Sequence, residues 1–157
     1  PGWRPVDAGT GNEAGTTEGE FDFWWHSGVL HGRNNAVNDE YVLAWMSADD
    51  DEALIAHVNY HPDGGQLFWP REPVAFVVCL GSKEHGDDIR PEHMRAFAVP
   101  EGRGVYIHPG TWHNGVYVSP AHAPATFLTR QGRVHARVSC SWAAERGTLL
   151  RVPLELT

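Results

Sequence analysis

From residue 21 onward the chain is built of short apolar runs cut by turn-forming clusters. The runs cover residues 41–46, 53–61, 66–69, 74–80, 95–99, 104–107, 115–118, 126–128, 134–142 and 148–152. Between them stand Asp-Asp-Asp, Pro-Asp-Gly-Gly, Pro-Arg-Glu-Pro, Pro-Glu-Gly-Arg-Gly and Pro-Gly. Short apolar runs at close spacing, with Gly and Pro in the gaps, predict strands and turns. The fold class that follows is an all-β sandwich or barrel.

Two runs alternate with a period of two. In residues 53–61, Leu54, Ala56, Val58 and Tyr60 form an apolar set, and His57, Asn59 and His61 fall on the other parity. In residues 133–142, Val134, Ala136, Val138, Cys140 and Trp142 are apolar, against Arg133, His135, Arg137, Ser139 and Ser141. Successive side chains of a strand point to opposite faces. Each run therefore predicts one greasy face and one hydrogen-bonding face. The polar face either meets solvent, as antiparallel sheets commonly allow, or lines the inside of a small barrel used as a pocket. His, Asn and Arg stand there instead of the usual Lys, Glu and Thr, which adds weight to the pocket. His57, Asn59 and His61 are then expected to point inward.

Composition narrows the classes. A length of 157 residues suits one domain. Residues 1–20 carry little apolar content and read as an irregular arm, leaving 21–157 as the barrel domain. Twelve basic and 20 acidic residues leave a net charge of −8. No basic face is expected, so neither nucleic acid nor an anionic membrane is the expected partner. No apolar stretch reaches membrane-spanning length, and no secretory leader is visible at the first residues, so the expected compartment is cytoplasmic. Cys79 and Cys140 sit inside apolar runs and read as free buried thiols, which fits a reducing compartment. The seven Trp, among them Trp24, Trp25 and Trp45, suit either a buried subunit interface or a capped core.

Three clusters carry candidate chemistry. Asn59, His61 and Gln66 flank a Pro-Asp-Gly-Gly turn. An imidazole ligates metals and moves protons, and amides orient polar groups. The same residues also serve simply to cap a turn. The second cluster runs from Gly104 through His108, Pro109 and Gly110 to Trp112 and His113. The third is Arg133, His135 and Arg137, whose guanidinium groups suit a carboxylate.

The second cluster, with Pro109-Gly110-Thr111-Trp112-His113, resembles the second motif of the cupin superfamily. Asn59-x-His61-x4-Gln66 stands where the first motif has His-x-His-x(3–4)-Glu. Within that superfamily the chain resembles the ureidoglycolate lyase family, over roughly residues 50–130. That family shows Glu-x-His-Pro-x-Gly-x-Gln-x-Phe-x-Pro, against Asn59-Tyr60-His61-Pro62-Asp63-Gly64-Gly65-Gln66-Leu67-Phe68-Trp69-Pro70. An Arg-Ala-Phe stretch and a Trp-His-His segment follow, against Arg95-Ala96-Phe97 and Trp112-His113-Asn114. The chain departs at Asn59, where the family has Glu, and at Asn114, where it has His. The family's Asp-Arg is also missing after Phe127-Leu128-Thr129.

The resemblance implies a single cupin-like barrel, a double-stranded β-helix or jelly roll, in a homodimer. It also implies a carbon–nitrogen lyase of purine and allantoin breakdown, turning ureidoglycolate into glyoxylate and urea. His61 and His113 are then the catalytic pair. Arg137 and Arg95 bind the substrate's acid end, Asn59 and Gln66 its ureido group, and His135 is a further substrate-binding candidate. One alternative is a cupin isomerase, dehydratase or dioxygenase whose divalent metal ion is held by His57, His61, Gln66 and His113. The other is a non-catalytic domain that binds small acids.

Overall fold

The computed structural model describes residues 18–27, 29–34, 39–46, 52–62, 64–122, 124–130 and 137–154. They form thirteen strands, one short α-helix and three 3₁₀ segments. In chain order the strands are β1 (Glu18–His26), β2 (Val29–Asn34), β3 (Asp39–Met46), β4 (Glu52–Ile55), β5 (His57–Tyr60), β6 (Gln66–Pro70) and β7 (Phe76–Gly81). There follow β8 (Met94–Val99), β9 (Val105–Ile107), β10 (Trp112–Tyr117), β11 (Ala125–Arg130), β12 (Val138–Ser141), helix α1 (Trp142–Arg146) and β13 (Leu150–Pro153). The strands make two antiparallel sheets, an all-β, cupin-like jelly roll. The first has the order β13-β4-β3-β2-β1-β11-β6-β9, the second β12-β5-β10-β7-β8.

Alternation explains how the sheets face one another. On β6, Gln66, Phe68 and Pro70 are buried while Trp69 is exposed. On β11, Ala125, Phe127 and Thr129 are buried while Leu128 is exposed. These buried sets face the second sheet, and Phe76 of β7 meets Phe127 edge-on at 5.1 Å between ring centroids. The central strands of the second sheet, β10 and β7, are buried on both faces, while the edge strand β8 is largely exposed. All six residues of β10 are inaccessible, and four consecutive residues of β7 are as well. Their outer face is covered by the segment around Ile89 and by Trp142, whose indole N–H donates to the Ile89 carbonyl at 3.2 Å. Burying an aromatic of this size is among the larger single contributions to a core.

Two expected elements differ from what is observed. Residues 53–61 do not form one strand. Ala53 and Ile55 are buried on β4, then Ala56 and Val58, so the buried parity changes at Ala56. There the chain leaves the first sheet for the second. Of residues 133–142, Val138–Ser141 is a strand with Val138 and Cys140 buried, as the alternation requires. Trp142 instead opens α1, because the Ser141 hydroxyl accepts from the Ala144 N–H and caps it. Residues 131–136 lie outside the described residues, as do 1–17 of the expected arm, whereas Glu18–Glu20 belong to β1. Trp24 and Trp25 stand on β1 and Trp45 on β3, with their side chains outside the description. The described part of the chain has no helix long and apolar enough to cross a membrane.

Candidate functional site

The first candidate cluster comes from the turn that follows β5. His61 ends that strand's line, and Gln66 begins β6 in the other sheet. His113 lies on β10, which begins at Trp112, three residues earlier than its apolar run suggests. The Pro109-Gly110 turn ties the clusters together. Gly110 has φ of +78°, a conformation that suits glycine, and its N–H donates to the His61 carbonyl at 3.0 Å. The backbone thus holds the two histidine-bearing segments side by side.

The result is a buried polar centre between the sheets. His61, Gln66, His113 and Thr129 are each at most 5% exposed. Nε2 of His61 lies 3.1 Å from Oε1 of Gln66, and Nε2 of His113 lies 2.9 Å from that same oxygen. The imidazole centroids are 5.2 Å apart. The Gln66 amide nitrogen donates to the Thr129 hydroxyl at 3.2 Å. Nδ1 of His113 faces the Thr111 carbonyl at 2.8 Å and must donate to it, because a carbonyl only accepts. A neutral His113 therefore has a bare Nε2 that faces Gln66. It is satisfied when the amide turns its N–H inward and its carbonyl toward Thr129. With Oε1 inward, the same imidazole carries N–H at both nitrogens. The bridge serves both forms.

The other candidates fall around this centre. In the second sheet one cross-strand row runs Ser139, Asn59, His113, Leu80, Arg95. Paired residues of neighbouring strands share a face. Asn59 is therefore His113's neighbour, and its Oδ1 is buried with no partner among the described residues. Arg137 precedes Val138, which pairs with Tyr60, so it stands level with His61. Burial lowers its pKa, the mark of a guanidinium withdrawn from water. Arg95 is on the same row but two strands away and exposed, with Nη1 donating to the carbonyls of Glu92 at 3.0 Å and Met94 at 2.8 Å. It is not part of the buried centre. His135 lies outside the described residues.

The four-ligand metal set is not assembled. His57 shares a parity with Asn59, but the described residues contain no group of three or more His, Cys, Asp or Glu placed to hold a metal ion. His57 therefore does not join His61 and His113. Two imidazoles and one amide oxygen remain, a neutral set without a carboxylate, and it suits a divalent ion poorly. Asn114, where the family resemblance leads one to expect His, is structural. Its amide donates to the His57 carbonyl at 2.5 Å and accepts from the Gly115 N–H at 2.6 Å, at the bulge where β10 shifts register against β7.

Thr129 is the member of the centre that inspection of the sequence missed. Its signal was available, because Ala125, Phe127 and Thr129 alternate along a strand whose other two members are core. A hydroxyl on the buried parity of an apolar strand needs a polar partner.

A profile of the ureidoglycolate lyase family matches residues 28–144, a span that holds every one of these side chains. The chain belongs to the ureidoglycolate lyase family. The ureidoglycolate lyase of Rhodobacter capsulatus is 39% identical over 70 residues, 45% of this chain and 40% of that protein. The ureidoglycolate lyase of Burkholderia cepacia is 27% identical over 95 residues, 58% of this chain and 52% of that protein. The matched part of the chain thus spans about half the length of these relatives. Seen as a ureidoglycolate lyase family member, this chain keeps His61, Gln66 and His113 in contact around a neutral amide.

Proposed function

We propose that the chain is a carbon–nitrogen lyase that cleaves ureidoglycolate, or a close ureido acid, to glyoxylate and urea by acid–base catalysis. The observation that carries this reading is the pair of imidazoles whose Nε2 atoms meet at one amide, 2.9 and 3.1 Å away. Family membership and the names of the two relatives point the same way. The substrate carries a hydroxyl and a ureido nitrogen on one carbon. One imidazole takes the hydroxyl proton, and the C–O bond becomes a carbonyl. The electron pair of the C–N bond leaves with the nitrogen, which takes a proton from the other imidazole. Both histidines end with their protons exchanged, and proton transfer through bulk water resets them. Arg137 meets the carboxylate, and Asn59 and Gln66 meet the ureido group. The reading includes a homodimeric, cytoplasmic enzyme of purine and allantoin breakdown, as the family resemblance implies.

The test is a steady-state assay of glyoxylate and urea release from ureidoglycolate. Replacing either His61 or His113 by Asn is expected to lower kcat roughly 10²-fold, the usual worth of a positioned acid or base. If both variants keep wild-type kcat/KM, the mechanism is wrong. If activity disappears with a chelator and returns with a divalent metal, His61, His113 and Gln66 are ligands and the metal-dependent reading replaces this one.

A further inference from the structure

We propose that Thr129 is a positioning residue, which acts through Gln66 to set the distance and angle between His61 and His113. The inference rests on the acid–base reading of those histidines. Both imidazoles address a single atom, Oε1 of Gln66. The Gln66 side chain has three rotatable bonds, and its terminal torsion is broad and nearly two-fold. Its own rotamer preference therefore does not fix the plane of the amide. The contact that does so is the hydrogen bond from the far end of the amide to the Thr129 hydroxyl, at 3.2 Å.

Thr129 suits that task for three reasons. It is buried, so water does not compete for the amide. It is β-branched and sits in a strand, so χ1 is stiff and the direction of its hydroxyl is set by the sheet. A hydroxyl both donates and accepts, so it satisfies whichever end of the amide is turned toward it. Thr129 comes from β11, paired with β6 through Thr129 opposite Phe68, and reaches Gln66 across 63 residues of sequence. The imidazole pair is thus aligned from the sheet that carries neither histidine strand: β10 and β5 belong to the other one.

The experiment compares Thr129→Val and Thr129→Ser in the full chain. Valine keeps the branched shape and removes the hydrogen bond, whereas serine keeps the hydroxyl. Thr129→Val is expected to lose about tenfold or more in kcat with little change in KM, since small misplacements of reacting groups are costly. Thr129→Ser is expected to stay within about threefold of wild type, on the same reasoning. Crystal structures of the two variants give a readout that needs no turnover. The distances from Gln66 to the two Nε2 atoms should hold in Thr129→Ser and open in Thr129→Val. Thr129→Ala, with the hydroxyl also gone, takes the place of the valine variant if that protein does not fold. The proposal is overturned if the hydroxyl-free variant keeps both kcat and the two distances, or if serine is as damaging as valine. If the wild-type chain does not turn over ureidoglycolate, the functional reading fails, and the two distances still decide the role of Thr129.

Discussion

Asn59 carries a buried carbonyl oxygen with no partner among the described residues. A ligand with an N–H at that point supplies the missing donor. Leaving a buried acceptor unpaired costs about 1–3 kcal/mol, so an analogue without that N–H should bind roughly tenfold to a hundredfold more weakly. Asn59→Leu should bind the two ligands alike, and titration calorimetry checks this. Arg137 gives a second expectation at this scale. Lysine cannot reproduce the planar fork of a guanidinium, so Arg137→Lys should raise KM and leave kcat nearly unchanged. His57 gives a third. Burial holds its pKa below the ordinary value of 6.5. As the pH falls through 6.5, the unfolded chain takes up a proton that the folded chain refuses, so stability falls with pH. His57→Gln should flatten that acid slope, as read from urea midpoints at pH 7 and pH 5. His61, Gln66 and His113 were legible in the sequence because each flanks a turn whose residues mark it. That His57 does not group with His61 and His113 was not legible, since parity gives the face of a side chain but not its distance from a neighbour across the barrel.

At the scale of elements, the short connection between β5 and β6 decides where Gln66 lies. A Cβ added at Gly65 would come within 2.6 Å of the Ile107 carbonyl and 2.3 Å of the Tyr106 hydroxyl. The carbonyl belongs to the backbone of β9, which pairs with β6, and cannot swing aside. Gly65→Ala should therefore push the start of β6 away from β9. The expected cost is about 1–3 kcal/mol in stability, with a loss of activity because Gln66 is the next residue. Thermal melts and kinetics on the same sample check both. The strands around this turn were readable because Pro-Asp-Gly-Gly and Pro-Gly end them sharply. The passage from β4 to β5 was not. Alanine is small enough for either face, so Leu54, Ala56, Val58 and Tyr60 read as one apolar set despite Ile55 on the other parity, and the change at Ala56 hid a switch between sheets.

Over the whole molecule, the core and the buried centre share one inter-sheet space, and neither needs a covalent staple. Cys79 and Cys140 are free and buried. Burial pushes the Cys79 thiol up to about 12, so it stays protonated and unreactive at neutral pH. The melting temperature should be the same with and without reductant, and a thiol reagent should react only on unfolding. The all-β class and the dense strand pattern were visible from the runs. The order of strands in each sheet was not, because it depends on pairings between distant segments. The most consequential of these is the place of β11, between β1 and β6. Until β11 exists, the strands from β1 to β4 have no neighbour that joins them to β6 and β9. Sheets closed by such distant pairings form slowly, on the order of milliseconds to seconds. A chain emerging from the ribosome holds both histidines and Gln66 before it holds Thr129, which follows His113 by 16 residues. The strand that joins the two halves of the larger sheet also carries Thr129, the partner of the Gln66 amide, so on the proposed mechanism the buried centre is completed only when that sheet closes.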